Sequence, residues 1–304
     1  MKKILLLTLL CILIPYILVI VFLKEDEIKF DYNESLMVRV KREKTGNIDY
    51  VYLEDYITGV LAGELPITFS DEAFKAQAVA ARSYVLKKME YNKNNEYDVV
   101  DTVNDQVYLD STYLKSVWGK NYVSKINKIK KVVIDTSGEY LTYGGNIIDA
   151  FFFSTSVGYT ENSEDVFSNS VPYLRSVKSE WDKDTSPVYT DTYVFNIYEF
   201  YLKLNLQFSE VIDIDVVETT STGRLKQIKI NGSIFSGGDI RNTLGLRSNY
   251  FIIVQDDEIV KITTKGYGHG VGMSQYGAEA MSKLGYTYDE ILKYYYQGVI
   301  LEKL

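Results

Sequence analysis

The chain has 304 residues, with 33 Lys and Arg against 41 Asp and Glu, a net charge of −8. That acidic balance excludes a general nucleic-acid surface, which would be basic. Cysteine and histidine occur once each, as Cys11 and His269, so neither a disulfide framework nor a zinc site of thiolate and imidazole ligands is expected.

Met1-Lys2-Lys3 precede residues 4–23, which carry no charge. Such a run is long enough to cross a hydrocarbon core, and it predicts a single membrane-spanning helix over residues 1–23. The lysines before it and Lys24, Glu25, Asp26 and Glu27 after it orient the N-terminus to the cytoplasm and the rest of the chain outside. Residues 24–35 read as a polar stalk, and 36–304 as the working domain. Residues 37–42 and 48–52 alternate around Lys44-Thr45-Gly46-Asn47, which predicts a hairpin. Residues 53–63 read as a helix that Leu65-Pro66 breaks. Ser70 is the expected N-cap of a long helix from Asp71 to about Tyr91.

Residues 131–157 read as a meander with strands at 132–136, 139–143 and 147–154. Residues 155–171 read as a polar loop, and 194–204 as a helix. A second β-region is expected over 212–218 and 225–230, followed by the turn Asn231-Gly232, a short helix at 238–244, and strands at 250–253 and 260–263. A helix over 274–283 ends at Gly285, and a last helix covers 288–296. The expected fold class is α+β: a membrane helix, then a mixed ectodomain of two lobes around a cleft, with a β-rich middle.

Two segments carry chemistry. Residues 266–278 (GYGHGVGMSQYGA) set glycines at 266, 268, 270 and 272 around His269. Alternating glycines clear side chains from a stretch of backbone, against which a ligand can lie. Ser274, Gln275 and Tyr276 follow as hydrogen-bonding groups. A glycine-rich loop with a surface histidine is the plainer reading of the same residues. Upstream, Glu64 stands among Val60, Leu61, Ala62 and Leu65. Apolar surroundings disfavour a charged carboxylate and shift it toward a general acid. In the next helix Phe74, Ala78, Ala81 and Val85 form a core stripe, while Lys75 and Arg82, seven apart, share a face and Gln77 adds an amide. A solvated charged face explains these equally well when the helix is taken alone.

Taken together, Gly63-Glu64-Leu65-Pro66, residues 72–86 (EAFKAQAVAARSYVL) and the glycine segment resemble the stage II sporulation protein D family. Residues 151–160 (FFFSTSVGYT), Pro172-Tyr173-Leu174 and residues 244–248 extend the resemblance over most of the region after residue 36. It implies a lytic transglycosylase that cuts peptidoglycan glycan strands, preferring strands stripped of stem peptides, during forespore engulfment. It implies as partners an amidase, stage II sporulation protein P, and the membrane protein stage II sporulation protein M. Glu64 matches the family's catalytic acid. Lys75, Gln77 and Arg82 would then hold substrate or tune Glu64. His269, Ser274, Gln275 and Tyr276 would line an opposite wall, with Ser154, Thr155 and Ser156 as further lining candidates. Some relatives bind zinc through histidine and cysteine near 151–158. Those residue types are missing here, so no metal or other cofactor is carried over. Glu161, Glu164 and Asp165 read as a solvated loop face, with one of them available as a second carboxylate. Two other readings stay open: a non-catalytic glycan-binding module that stimulates an amidase, and a two-carboxylate hydrolase.

Overall fold

The computed structural model describes residues 11–15, 25–32, 36–167 and 169–304. The strand Met37–Lys41 buries alternate residues, Val38 and Val40. It pairs antiparallel with Ile48–Tyr52 and, on its other edge, parallel with Val99–Val100. Leu53–Glu64 follows as a helix, and Leu65, placed before Pro66, adopts an extended conformation that ends it. The long helix Asp71–Tyr91 is central. Its alanines at 76, 78, 80 and 81 are buried. These small side chains let Leu53–Glu64, Tyr122–Asp135, Gln275–Lys283 and Tyr288–Tyr295 pack against it. Ser70 occupies its N-cap position without capping. The hydroxyl is bonded instead to Glu279 Oε2 at 2.5 Å and Ser282 Oγ at 2.7 Å, tying this helix to Gln275–Lys283.

A second apolar core gathers Phe195, Phe200, Ile228, Ile230, Ile240, Val260 and Ile262. Two three-stranded sheets build it: Ile214–Thr219, Leu225–Ile230 and Ser233–Ser236 in one, and Phe251–Asp256, Ile259–Lys265 and Thr190–Asn196 in the other. The middle of the chain is therefore β-rich with its own core. Helices dominate the first core, and the fold is mixed α+β.

Three expectations need correction. No helix among the described residues is long and apolar enough to cross a membrane. Of the run 4–23 the structure describes only 11–15, a short exposed helical piece. The remainder of that run, and residue 24 and 33–35 of the expected stalk, lie outside the described residues. Second, the expected strand at 132–136 belongs mostly to the helix Tyr122–Asp135. That helix buries Tyr122, Ile126, Ile129, Val132 and Val133 on one face. The β-branched pair Val132-Val133 continues this 3.6-residue pattern, and packing overrides its strand propensity. Third, Val194 and Phe195 fall in the strand Thr190–Asn196. The helix begins only at Ile197, where the Asn196 side chain caps it by accepting from the Tyr198 amide at 2.9 Å.

Candidate functional site

Glu64 closes its helix one residue before the chain turns away. Gly63 lets the segment through Val107 come close, because a Cβ there would lie 2.8 Å from the Val107 carbonyl oxygen. The Val107 amide donates to Glu64 Oε1 at 2.9 Å. From the far end of the chain, Gln275 Nε2 donates to Glu64 Oε2 at 3.2 Å. Burial raises the Glu64 pKa, and these two donors only partly offset it. The carboxyl therefore keeps its proton to higher pH than a surface glutamate, as a general acid requires.

Glu64, Gln275, Ser154, Phe153, His269, Tyr267 and Arg241 line one cleft of about 540 Å³. The two sequence segments thus meet, although the glycines act differently from the expectation. Gly266, Gly268, Gly270 and Gly272 all have positive φ, from +72° to +106°. What approaches their bare backbone is the protein itself. A Cβ at Gly268 would lie 2.8 Å from Phe153 Cβ, and one at Gly272 would lie 2.0 Å from the Phe151 carbonyl oxygen. The loop is laid onto residues 151–161, and Met273–Ser274 pairs in parallel with Phe152–Phe153. Gly272→Ala is expected to cost more than about 2 kcal/mol, since it combines left-handed strain with a backbone collision. Urea denaturation checks this, and an unchanged midpoint would refute the packing role.

His269 is held among aromatic rings, with centroids of Phe151, Phe153 and Phe167 at 6.1, 5.8 and 5.7 Å. Its Nδ1 accepts from the Val271 amide at 3.1 Å. Burial, with Arg224 and Arg241 nearby, drives its pKa down to about 4, against a hydrogen bond to the Phe152 backbone. The imidazole is neutral near pH 7 and serves as a cleft wall rather than an acid.

Gln275 and Ser154 are the other expected residues that reach the cleft. Thr155 and Ser156 are fully buried behind it. Thr155 Oγ1 bonds Ser186 Oγ at 2.8 Å, and the Ser156 amide donates to Asp182 Oδ1 at 2.8 Å. Ser274 is buried too and caps the helix Gln275–Lys283. Tyr276 packs edge-on against Phe69, at 5.1 Å between centroids, and does not line the cleft.

The three candidates on the long helix lie elsewhere. Lys75 pairs with Glu72 at 3.0 Å and Asp135 at 3.6 Å. Arg82 is fully buried, bound to Glu54 at 2.6 Å and to the Glu139 carbonyl at 2.9 Å. Gln77 is buried, with no hydrogen-bond partner on either amide atom among the described residues. The shared face of Lys75 and Arg82 turns toward other helices and strands, so their sevenfold spacing reflects packing and ion pairing.

Sequence spacing missed several residues. Asp182 is buried and accepts from Ser179 Oγ at 2.6 Å, from the Ser156 amide, and from Ser274 Oγ through a short bond. Burial lifts its pKa to about 6 against those donors. It anchors Ser274, hence the start of the helix that aims Gln275 at Glu64. No local pattern announces this role, because Ser156 and Ser274 are 26 and 92 positions away. Glu161 is not a solvated loop residue. It is fully buried, 3.2 Å from the equally buried Arg224. Glu164 is bound by Arg175, and Asp165 lies 3.6 Å from Lys226. Asp105 also lines the cleft, held by Lys88 at 2.8 Å, by the Tyr84 hydroxyl at 2.9 Å and by the Val100 amide at 2.8 Å.

Removing the Gln275 donor takes away a bond that favours ionised Glu64. In Gln275→Ala the Glu64 pKa should rise further, so the basic limb of a pH–activity profile moves to higher pH. A limb that moves to lower pH would contradict this geometry.

Residues 41–143 match the sequence model of the family described as stage II sporulation protein. A stage II sporulation protein D of Bacillus subtilis (strain 168) is 43% identical over 266 residues, covering 86% of this chain and 77% of the relative. One of Bacillus amyloliquefaciens is 42% identical over 86% of this chain and 77% of its own. An amidase enhancer of Bacillus subtilis (strain 168) is 31% identical over 81% of this chain and 40% of its own length. With Glu64 and the glycine segment joined in one cleft inside this extended match, the chain belongs to the stage II sporulation protein D family, whose role is in sporulation.

Proposed function

We propose that this protein is a lytic transglycosylase that cleaves peptidoglycan glycan strands, with Glu64 as its single acid and base, during forespore engulfment. The observation that carries the reading is the Glu64 carboxyl, its pKa raised by burial, at the wall of a cleft of about 540 Å³. Glu64 protonates the glycosidic oxygen as the bond to the leaving sugar breaks. The resulting carboxylate then takes the proton of the muramic 6-hydroxyl, whose oxygen closes the 1,6-anhydro ring. No water is consumed, so no second carboxylate is needed. Asp105, the other cleft carboxylate, is already engaged by Lys88, Tyr84 and Val100, which supports this route over a two-carboxylate hydrolase. Tyr267 and Phe167, both exposed in the cleft lining, supply faces on which sugars stack. Stage II sporulation proteins P and M are the partners this reading implies.

The test incubates the protein with glycan strands stripped of stem peptides and identifies products by mass. Anhydro-ended fragments support the proposal; reducing ends would assign a hydrolase instead. The resemblance to an amidase enhancer favours one second reading, a module that grips glycan and stimulates an amidase. Binding without cleavage, together with faster peptide release by an added amidase, would select it.

A further inference from the structure

We propose that Arg241 is a specificity-determining residue that binds a carboxylate carried on the sugar strand. The inference rests on reading the cleft as a glycan site. Arg241 lies near the end of the helix Gly237–Leu244, whose Ser236 cap accepts from the Asp239 amide. Gly237 seats that helix on the strand Leu225–Ile230, since a Cβ there would fall 2.0 Å from the Leu225 carbonyl oxygen. Ile240 and Leu244 are buried in the second core. The backbone bearing Arg241 is thus fixed.

Its side chain borders two cavities, the Glu64 cleft and a neighbouring one of about 250 Å³, and His269 borders both as well. Among the described residues Arg241 has no carboxylate partner. Its guanidinium makes a long bond from Nε to the Leu246 carbonyl, 3.4 Å. It is the one permanently cationic side chain among the described residues lining the main cleft. Burial also depresses its pKa, with Tyr267 and Tyr193 acting the other way. In a chain of net charge −8 carboxylates are abundant, yet among the described residues none is ion-paired with this guanidinium; Asp165, which shares the smaller cavity, lies 3.6 Å from Lys226 instead. A partly desolvated guanidinium without an anion is unfavourable, and its planar fork fits a carboxylate with two parallel bonds. An anion arriving with the substrate resolves both. On a muramic residue that anion is the lactyl carboxylate, free only when no peptide is attached to it.

The experiment measures equilibrium binding to Glu64→Gln protein of two strand preparations, one with free lactyl carboxylates and one with the same groups converted to methylamides. The expected result is about tenfold or greater preference for the free acid, lost in Arg241→Gln through weaker free-acid binding. Arg241→Lys should recover part of it. Equal affinity for both strands, or equal weakening of both by Arg241→Gln, would overturn the assignment. The two readings fail separately. Preference without cleavage by the native protein refutes the transglycosylase and leaves Arg241 as assigned. Cleavage without preference refutes Arg241 and leaves the transglycosylase.

Discussion

Glu64→Gln should reduce strand cleavage by about 10²–10⁴-fold, the usual contribution of a positioned acid or base, and by more if both proton transfers depend on it. The same variant should be no less stable at neutral pH. The sign follows from burial. Glu64 has a folded-state pKa above its ordinary value, so between the unfolded and folded values the native state holds more proton than the unfolded state. Stability therefore falls as pH rises through that window, and above it the ionised group is a net cost. Glutamine removes the titration. Its oxygen still accepts from the Val107 amide, and the Gln275 amide can rotate to present its own oxygen. Native and variant unfolding curves should coincide at low pH and separate at neutral pH in favour of the variant. A variant that loses activity because it unfolds would defeat this assignment, and so would one that retains cleavage.

Much of the fold is written in local pattern. The breaks at Leu65-Pro66 and Gly285, the long helix 71–91 and the strands around 250–263 follow from periodicity and turn chemistry. Where local pattern misleads, the cause is packing: a partner far along the chain, or the buried face of the element itself. Lys75 and Arg82 show the spacing of a shared face in sequence, but Asp135, Glu54 and the Glu139 carbonyl claim them. Val132 and Val133 look like a strand until the face containing Tyr122 and Ile129 is known to be buried. The glycine segment was recognisable as special, yet its purpose was not. Positive φ and close approach are what glycine permits, and only the fold shows that Phe151 and Phe153, not a ligand, fill the space. Glu64 and Gln275 were both legible as candidates, one from its apolar setting and one from its motif. Their contact depends on the docking of the helix Gln275–Lys283 against Asp71–Tyr91, to which Ser70 and Glu279 contribute.

Glu161→Ala should destabilise the protein by about 3–5 kcal/mol, the cost of leaving a buried cation unpaired. Arg224 has no solvent-exposed surface. Without Glu161 its guanidinium would keep only neutral acceptors: Ser248 Oγ, Asn249 Oδ1 and the Gly268 carbonyl, at 3.1, 3.1 and 3.0 Å. Burial already pushes the Arg224 pKa down to about 10 and the Glu161 pKa up, even with the two groups adjacent. Desolvation thus outweighs their attraction, and the pair as a whole adds little to stability. Replacing both, as Glu161→Met with Arg224→Met, should therefore recover most of the loss. Urea denaturation of the single and double variants reads this directly. A single variant within about 0.5 kcal/mol of native would mean that water reaches Arg224. The cleft should register the change as well. The Glu161 amide donates to the Gly270 carbonyl at 2.7 Å, and Arg224 holds the Gly268 carbonyl, so the pair brackets His269 on both sides. The double variant, stable but without the Gly268 contact, should let His269 shift and bring its pKa up from about 4, because Arg224 no longer opposes the imidazolium. Titration of this one histidine by NMR separates a pair that merely fills the core from one that also sets the cleft wall.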